Sequence, residues 1–318
     1  MTGTMPDPTL SIVVPCFNEA EVVHELHRRV SAVCAAAALP YEILLVNDGS
    51  SDATWPAMVE LCQADSHLRA VNLSRNFGHQ LALSAGLSVA RGQRILVLDA
   101  DLQDPPELLP QMLKRMDEGA DVVYGQRTRR DGETLLKRMT AKIFYRLLNS
   151  LSDLDIPADT GDFRLMNRRV LDAFNRMPER HRYVRGMIAW VGFKQVPIHY
   201  DRRERFAGKT KYPFRKMLRF AFDALTSFSV TPLKLSIWVG LLTAVIAVLL
   251  LVWTIVAWLL NHASVMGWTS LLSAISFFSA VQLFVLGIMG EYLARVVEQT
   301  RGRPLYLIGE IVGGEASS

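Results

Sequence analysis

Asp, Glu, Lys and Arg are absent from Leu235 to Gly290, a run of 56 positions. That absence excludes a chain that is soluble throughout, because a solvent-facing helix keeps a polar face and this stretch has none. Cysteine is scarce: Cys16, Cys34 and Cys62 form no C-x-x-C pair and are odd in number. Neither a zinc knuckle nor a disulfide framework is indicated, and a reducing compartment is expected. Met1 to Thr9 is polar and lacks an apolar h-region, so no cleavable signal peptide is expected and the N-terminal part should be cytoplasmic. No G-x-G-x-x-G follows the first apolar run, which argues against a dinucleotide dehydrogenase. Gly208-Lys209-Thr210 imitates the end of a P-loop, but Arg203 occupies the place of the required first glycine.

The 318 residues carry 35 Lys and Arg against 31 Asp and Glu, and half of them are apolar. This balance suits one sizeable soluble domain with a membrane part. The net charge of +4 is uneven: residues 202 to 219 hold +7 and residues 127 to 146 hold +5, which leaves −8 elsewhere. Two local basic patches on an otherwise acidic chain indicate anionic ligands or lipid headgroups, and no nucleic acid partner is expected.

The uncharged run divides into spans at about 235-260 and 267-290, separated by the polar turn Asn261 to Met266. Each exceeds the ~20 residues needed to cross a ~30 Å hydrocarbon core. Lys234 and the basic run before it flank the first span, Arg295, Arg301 and Arg303 follow the second, and the turn has no Lys or Arg. The positive-inside rule then places both ends in the cytoplasm. Phe214, Met217, Leu218, Ala221, Phe222 and Leu225 recur at helical spacing beside Arg215, Lys216 and Arg219. They suit an interfacial helix on anionic headgroups, or a helix packed between domains. The expected organisation is a domain at 1-212, a juxtamembrane segment at 213-234, the hairpin at 235-290 and a cytoplasmic tail at 291-318.

Between residues 10 and 127 the apolar runs LSIVVPCF, YEILLVND, LRAVNLS, RILVLDAD and ADVVYGQR alternate with helix-like segments. Short apolar runs feeding helices predict βαβ units and a mostly parallel α/β sheet. Asn18 with Glu21, and Asp104 before Pro105, resemble helix-opening caps. Ligands of such sheets sit beyond the carboxyl ends of the strands, where Asn18, Glu19, Asn47, Asp48, Asp99 and Asp101 gather.

Asp99-Ala100-Asp101 follows the apolar run Arg94 to Leu98 directly. Two carboxylates at i and i+2 leaving a strand can share Mg²⁺ or Mn²⁺, hard ions that bridge a diphosphate. Asp153-Leu154-Asp155 has the same spacing without a strand before it and is assigned to a solvated loop.

Taken together, SIVVPCFNE, VNDGSSDAT, LSRNFGHQLALSAG, LDADLQDPPELLP, TGDFRLMNRRV and ERFAGKTKY, followed by two terminal spans, resemble the family 2 glycosyltransferases that charge polyprenyl phosphate. The resemblance is to the polyisoprenyl-phosphate glucosyltransferase (GtrB-like) branch, with dolichyl-phosphate mannose synthase more distant, and it covers nearly the whole chain. It implies a GT-A-type, Rossmann-like domain followed by a two-helix transmembrane hairpin. It implies that Pro15, Asn18, Glu19 and Asp48 hold the nucleoside, while Asp99 and Asp101, with Gln103 nearby, hold metal and diphosphate, Asp99 serving both ligands. Asp48 is alternatively a turn residue, and Asn47 stands where many relatives have a second aspartate. Arg75 either faces the nucleotide or braces its loop. Arg127, Lys137, Arg138, Arg202, Arg205, Lys209 and Lys211 are candidates for the lipid phosphate and the leaving diphosphate, or for a solvated face. Asp162 matches the position of the proposed catalytic carboxylate, the alternatives being a helix cap or an arginine partner.

The implied reaction is one inverting displacement: a UDP-sugar, glucose above others, and undecaprenyl-type phosphate give polyprenyl-phosphate sugar and UDP. The implied partners are donor, acceptor, membrane lipids and further copies in a homo-oligomer, at a bacterial inner membrane. Mannose, an aminoarabinose-type sugar or GlcNAc are the alternative sugars. A processive polysaccharide synthase would need a Q-x-x-R-W motif and more spans, and the sequence has neither. A nonenzymatic nucleotide-binding scaffold would have no need of the acidic ligands.

Overall fold

The computed structural model describes residues 8–128, 160–180, 182–201, 231–261 and 267–314. All five apolar runs form strands: β1 (Leu10–Cys16), β2 (Tyr41–Asn47), β3 (Leu68–Leu73), β4 (Arg94–Val97) and β5 (Val122–Arg127). Three further strands, β6 (Thr160–Asn167), β7 (Gln195–Tyr200) and β8 (Ile308–Val312), complete an eight-stranded sheet of order β7-β5-β6-β4-β1-β2-β3-β8. The helices of this unit are α1 (Val23–Ala37), α2 (Thr54–Ala64), α3 (His79–Val89), α4 (Leu109–Asp117), α5 (Arg168–Asn175) and α6 (Val184–Val191).

Strand β1 lies centrally and is buried along its whole length, which explains a continuous apolar run where a half-exposed strand would alternate. Leu10, Ile12 and Val14 share one core with Val23, Leu26, Val30 and Cys34 of α1. Val46, Val71 and Leu73 pack with Ala82 and Ala85 of α3 in another. A fully buried side chain such as Leu26 stabilises by roughly 1.5–3 kcal/mol.

Strands β4, β1, β2 and β3 lie side by side in that order and run parallel to one another, so the loops after them emerge at one edge of the sheet. Strand β6 is antiparallel to β4, with Val97 opposite Arg164. Continuing that register by two places brings Asp99 opposite Asp162, and the start of β6 thereby reaches the same edge.

Neither expected capping pair forms. Asn18 adopts a left-handed φ of 56° and its Oδ1 accepts from Ser51 N at 2.9 Å, while α1 starts at Val23 without a side-chain cap. The Asn18 amide reaches across to the loop after β2 instead of back along its own chain. Asp104 gives no side-chain cap to the turn at Pro106–Leu108, and its Oδ1 accepts from Tyr200 instead.

The second unit holds α7 (Thr231–Asn261) and α8 (Trp268–Thr300). Ser236–Trp253 and Phe277–Thr300 are long and apolar enough to cross a membrane, with mean hydropathies of 2.5 and 1.6. Trp238, Trp253 and Leu283 are each about 70% exposed (68, 73 and 69%), as lipid-facing residues are. Ser236 and Thr243 return their hydroxyls to carbonyls of their own helix, Leu233 O at 2.7 Å and Val239 O at 3.0 Å, which satisfies them without water. Helix α8 continues past the expected end of the span at Gly290, where Glu291 and Arg295 pair at i,i+4.

The expected tail at 291–318 also contains β8, which pairs antiparallel with β3 and belongs to the sheet unit. Its apolar Ile308, Ile311 and Val312 line an edge that β3 would otherwise leave unpaired. The expected interfacial helix at 214–225 and the Asp153 to Asp155 pair lie outside the described residues.

Candidate functional site

Asp162 is a charged residue inside a strand that is buried from Thr160 to Met166, and its side chain is only 2% exposed. Its Oδ1 accepts from Arg185 Nε at 2.7 Å. Its Oδ2 accepts from His79 Nε2 at 3.1 Å and Gln80 Nε2 at 3.0 Å, with Arg185 Nη2 at 3.4 Å. Burial alone would favour the neutral acid, but Arg185 and His79 outweigh it and hold the carboxyl well below the usual carboxylate range. Arg164 buttresses the strand by donating to Gly161 O at 3.0 Å and Asp162 O at 3.3 Å. Desolvation brings its guanidinium down to about 10, so it stays charged near neutrality.

His79 opens α3 after Gly78 and faces both carboxylates, with Nε2 3.1 Å from Asp162 Oδ2 and 3.5 Å from Asp99 Oδ1. Desolvation lowers its pKa, but the bond to Asp162 and the charges of both aspartates raise it to about 9. Asp99 is pushed up to about 6 by burial, with the nearby Asp162, Asp104 and Asp101 adding to the effect against His79.

The ligand atoms of His79, Asp99 and Asp162 lie within 4.8 Å of one another, and Asp99 Oδ1 is buried without a hydrogen-bond partner. An orphaned buried carboxylate oxygen beside a second carboxylate is a donor set that fits Mg²⁺, and His79 would add the nitrogen that suits Mn²⁺ once it gives up the proton it donates to Asp162. The expected set was Asp99, Asp101 and Gln103, and of these only Asp99 belongs to the triad. Asp101 Oδ1 accepts from Gln103 N at 3.2 Å, across Leu102 in a left-handed conformation at φ 58°. The turn that follows Asp99 thus binds Asp101 locally, and a bulky residue at positive φ marks a constrained loop.

Beside the triad, Tyr200 donates its hydroxyl to Asp104 Oδ1, Arg127 Nε donates to Tyr200 Oη at 3.3 Å, and Arg127 Nη2 lies 3.5 Å from Asp104 Oδ1. Arg127, expected at a phosphate, is therefore tied to a buried carboxylate and a phenol. Gly161 makes room for it, since a Cβ there would lie 2.8 Å from Arg127 Nη2.

On the expected nucleoside side, Pro15 is the penultimate residue of β1, opposite Val46. Asn18 N donates to Ser50 Oγ at 3.0 Å and Glu19 N to Thr54 Oγ1 at 2.8 Å, lashing two loops together. Asp48 is 2% exposed and accepts from Phe77 N at 2.7 Å and Gly78 N at 2.9 Å, one through each oxygen. It anchors the loop before α3, and any nucleoside contact must use its second lone pairs. Gly49 at φ +63° passes so close to this loop that a Cβ would lie 2.4 Å from Asn76 N. Arg75 stacks its guanidinium 4.0 Å from the Phe77 ring centroid and donates to Asn76 O at 3.1 Å, bracing the loop through an aromatic ring and a carbonyl. Asn47 bridges to Asn72 Oδ1 at 2.8 Å. Lys137, Arg138, Arg202, Arg205, Lys209 and Lys211 lie outside the described residues.

His79, Gln80, Arg185, Arg164 and Tyr200 were not anticipated. A histidine directly after a glycine at a helix start was a usable signal for His79; Arg185 has no local signal, being placed by α6.

Residues 11–174 match the family described as Glycosyl transferase family 2, and residues 231–296 match the GtrB C-terminal hairpin. The uncharacterized glycosyltransferase YkcC of Bacillus subtilis (strain 168) is 45% identical over 96% of this chain and 94% of its own length. The prophage bactoprenol glucosyl transferase homolog of Escherichia coli (strain K12) is 38% identical over 95% of this chain and 99% of its own. The SfII prophage-derived bactoprenol glucosyl transferase of Shigella flexneri is 38% identical over 94% of this chain and 97% of its own. The family match spans both strands that bring Asp99 and Asp162 together, and the relatives align from the sheet through the hairpin, so this chain belongs to glycosyl transferase family 2 and is a glycosyltransferase.

Proposed function

We propose that the protein transfers glucose from UDP-glucose to a polyprenyl phosphate, with release of UDP. The observation that carries this reading is the meeting of Asp99, Asp162 and His79 at the carboxyl edge of the sheet, in a chain that also bears the GtrB hairpin. The names of the bactoprenol glucosyl transferases support the sugar and the acceptor.

In the proposed step an oxygen of the lipid phosphate bonds to the anomeric carbon as the bond from that carbon to the UDP oxygen breaks, in one inverting displacement. A phosphate monoester has a second pKa near ~6, so near neutrality most of the acceptor is already a dianion. It needs little base catalysis. Asp162, engaged by His79, Gln80 and Arg185, is a weak base with a fixed position, and it acts by orienting the acceptor or a sugar hydroxyl. Asp99, with His79 and Asp162, would hold Mg²⁺ or Mn²⁺, which would supply positive charge for the diphosphate. Asp101 and Gln103 serve that side of the site through the turn they form. Pro15, Asn18, Glu19 and Asp48 form the nucleoside side, with Arg75 at its rim. Arg127 and the basic residues Lys137, Arg138, Arg202, Arg205, Lys209 and Lys211 meet the phosphates.

The same reading puts the sheet unit on the cytoplasmic face of a bacterial inner membrane. Strand β7 precedes the two helices and β8 follows them within one sheet, which supports an even number of crossings. The flanking Lys234, Arg301 and Arg303 then favour the cytoplasmic side.

The test is a screen of UDP- and GDP-sugars with a short polyprenyl phosphate and a divalent cation, reading the lipid product by mass. A hexose added to the lipid phosphate from UDP-glucose supports the reading. Another preferred sugar, or UDP release that does not depend on the lipid, overturns it.

A further inference from the structure

We infer that Gln80 is a positioning residue for Asp162, an inference that rests on the transferase reading above and deepens it. Gln80 is the second residue of α3 and reaches two other elements through the two ends of one amide. Its Oε1 accepts from the main-chain N–H of Val184 at 2.8 Å, and its Nε2 donates to Asp162 Oδ2 at 3.0 Å. The orientation of the amide is forced, because a main-chain N–H can only donate and an ionised carboxylate can only accept. Val184 opens α6, and the next residue, Arg185, grips the other oxygen of Asp162 at 2.7 Å. Gln80 thus ties α3, β6 and α6 at the point where the carboxylate must stand.

Of the donors on Asp162, His79 and Arg185 carry or exchange charge, whereas Gln80 contributes direction alone. His79 also faces Asp99, so its hold on Asp162 is shared. Gln80 belongs to Asp162 and Val184 only, among its described side-chain bonds. Its removal leaves the carboxylate charged and buried but free to swing on the Arg185 fork. A displacement of about 1 Å at a reacting group can cost on the order of a hundredfold in rate.

Gln80→Glu and Gln80→Leu separate the two ends of the amide. Glutamate keeps an oxygen for Val184 N–H and loses the donor to Asp162, while leucine loses both. With UDP-glucose and polyprenyl phosphate, both variants are expected to lower kcat about tenfold or more, with KM for UDP-glucose within about twofold of wild type. The Gln80→Glu protein should melt below wild type, because its new carboxylate faces the ionised Asp162 at about 3 Å, so its kcat is read at a temperature where it stays folded. In an Asp162→Asn background neither change should lower kcat by more than about twofold further, as residues acting through one another are non-additive. Wild-type kcat in Gln80→Glu would reduce Gln80 to a tie for α6 and overturn the inference. An undiminished loss in the Asp162→Asn background would overturn it as well. Absence of any glucosyl lipid with the wild-type enzyme would instead strike the transferase reading itself, and the inference with it, before any variant is compared.

Discussion

Arg185 and Asp162 meet as a fork on a buried carboxylate: Nε donates to Oδ1 at 2.7 Å, and Nη2 lies 3.4 Å from Oδ2. Arg185 also donates to Thr160 O at 3.0 Å, so one side chain fixes both the strand end and the acid it carries. Arg185→Leu leaves Asp162 buried without its main counter-charge, and a loss of about 3 kcal/mol of stability is expected, read from melting in detergent. Arg185→Lys keeps the charge but not the fork and should retain most stability while losing turnover. Equal turnover in Arg185→Lys and wild type would show that the fork geometry is dispensable.

Asp162→Asn should lower turnover substantially while UDP affinity in the absence of metal stays near wild type. Raising the pH from about 7 to about 8.5 should not restore the rate, because the acceptor phosphate is already largely ionised at the lower value. Recovery at high pH in a steady-state pH profile would assign Asp162 a proton-transfer role in place of a positional one.

Asp99 and Asp101 differ in surroundings and should differ in effect. Asp99 shares its site with His79 and Asp162, whereas Asp101 accepts from the Gln103 amide in its own turn. Both Asn variants should weaken Mn²⁺-dependent UDP binding, Asp99→Asn more, and chelation should abolish the difference between each variant and wild type. Titration calorimetry with UDP, with and without Mn²⁺, decides it. A larger loss from Asp101→Asn would return the metal to the D-x-D pair and away from His79.

Glu42 supplies a pH test of stability far from the chemistry. It is 2% exposed, its Oε1 accepts from Ser11 Oγ at 2.7 Å and Arg91 N at 2.6 Å, and its Oε2 faces Arg69 Nη1 at 3.0 Å. Burial raises its pKa, but these bonds outweigh burial and lower it from 4.5. A carboxylate with a depressed folded pKa gives its stability in full above its unfolded value and loses it as the pH falls through the folded one. The wild-type melting temperature should therefore drop as the pH falls below about 4.5, whereas Glu42→Gln should show a flatter acid limb and a loss of about 3 kcal/mol near neutrality. Parallel melting curves for the two proteins across this range would refute the assignment.

Strands β1 to β5 were legible because each is an apolar run bounded by polar loops, and the two spans because 56 residues lack charge. Strand β6 is legible only as a motif: Asp162 and Arg164 break its apolar pattern, and both are buried because His79, Gln80 and Arg185 of other elements meet the Asp162 carboxylate while Arg164 bonds carbonyls of its own strand. Asp99 and Asp162 were found as separate signals, 63 positions apart, and only the antiparallel insertion of β6 beside β4 unites them. His79 and Gln80 lie 83 and 82 residues from the carboxylate they contact, a distance that no local pattern spans. Asn18 and Asp104 were misassigned as caps for the same reason, since each carboxyl or amide group found a stronger partner outside its own turn.

Strand β8 makes the hairpin an insertion within the soluble fold. The sheet is completed by residues on both sides of the apolar helices: β8 covers the edge of β3, Leu307 O accepts from Ser74 N at 3.0 Å, and Arg180 Nη1 donates to Arg303 O at 2.6 Å. Cutting the chain after Ser229 would remove Ile308–Val312 together with the helices and leave β3 with an unpaired edge, a template for aggregation. A water-soluble form of this enzyme calls for internal excision, with the segment from Arg303 onward rejoined to the sheet domain by a flexible linker.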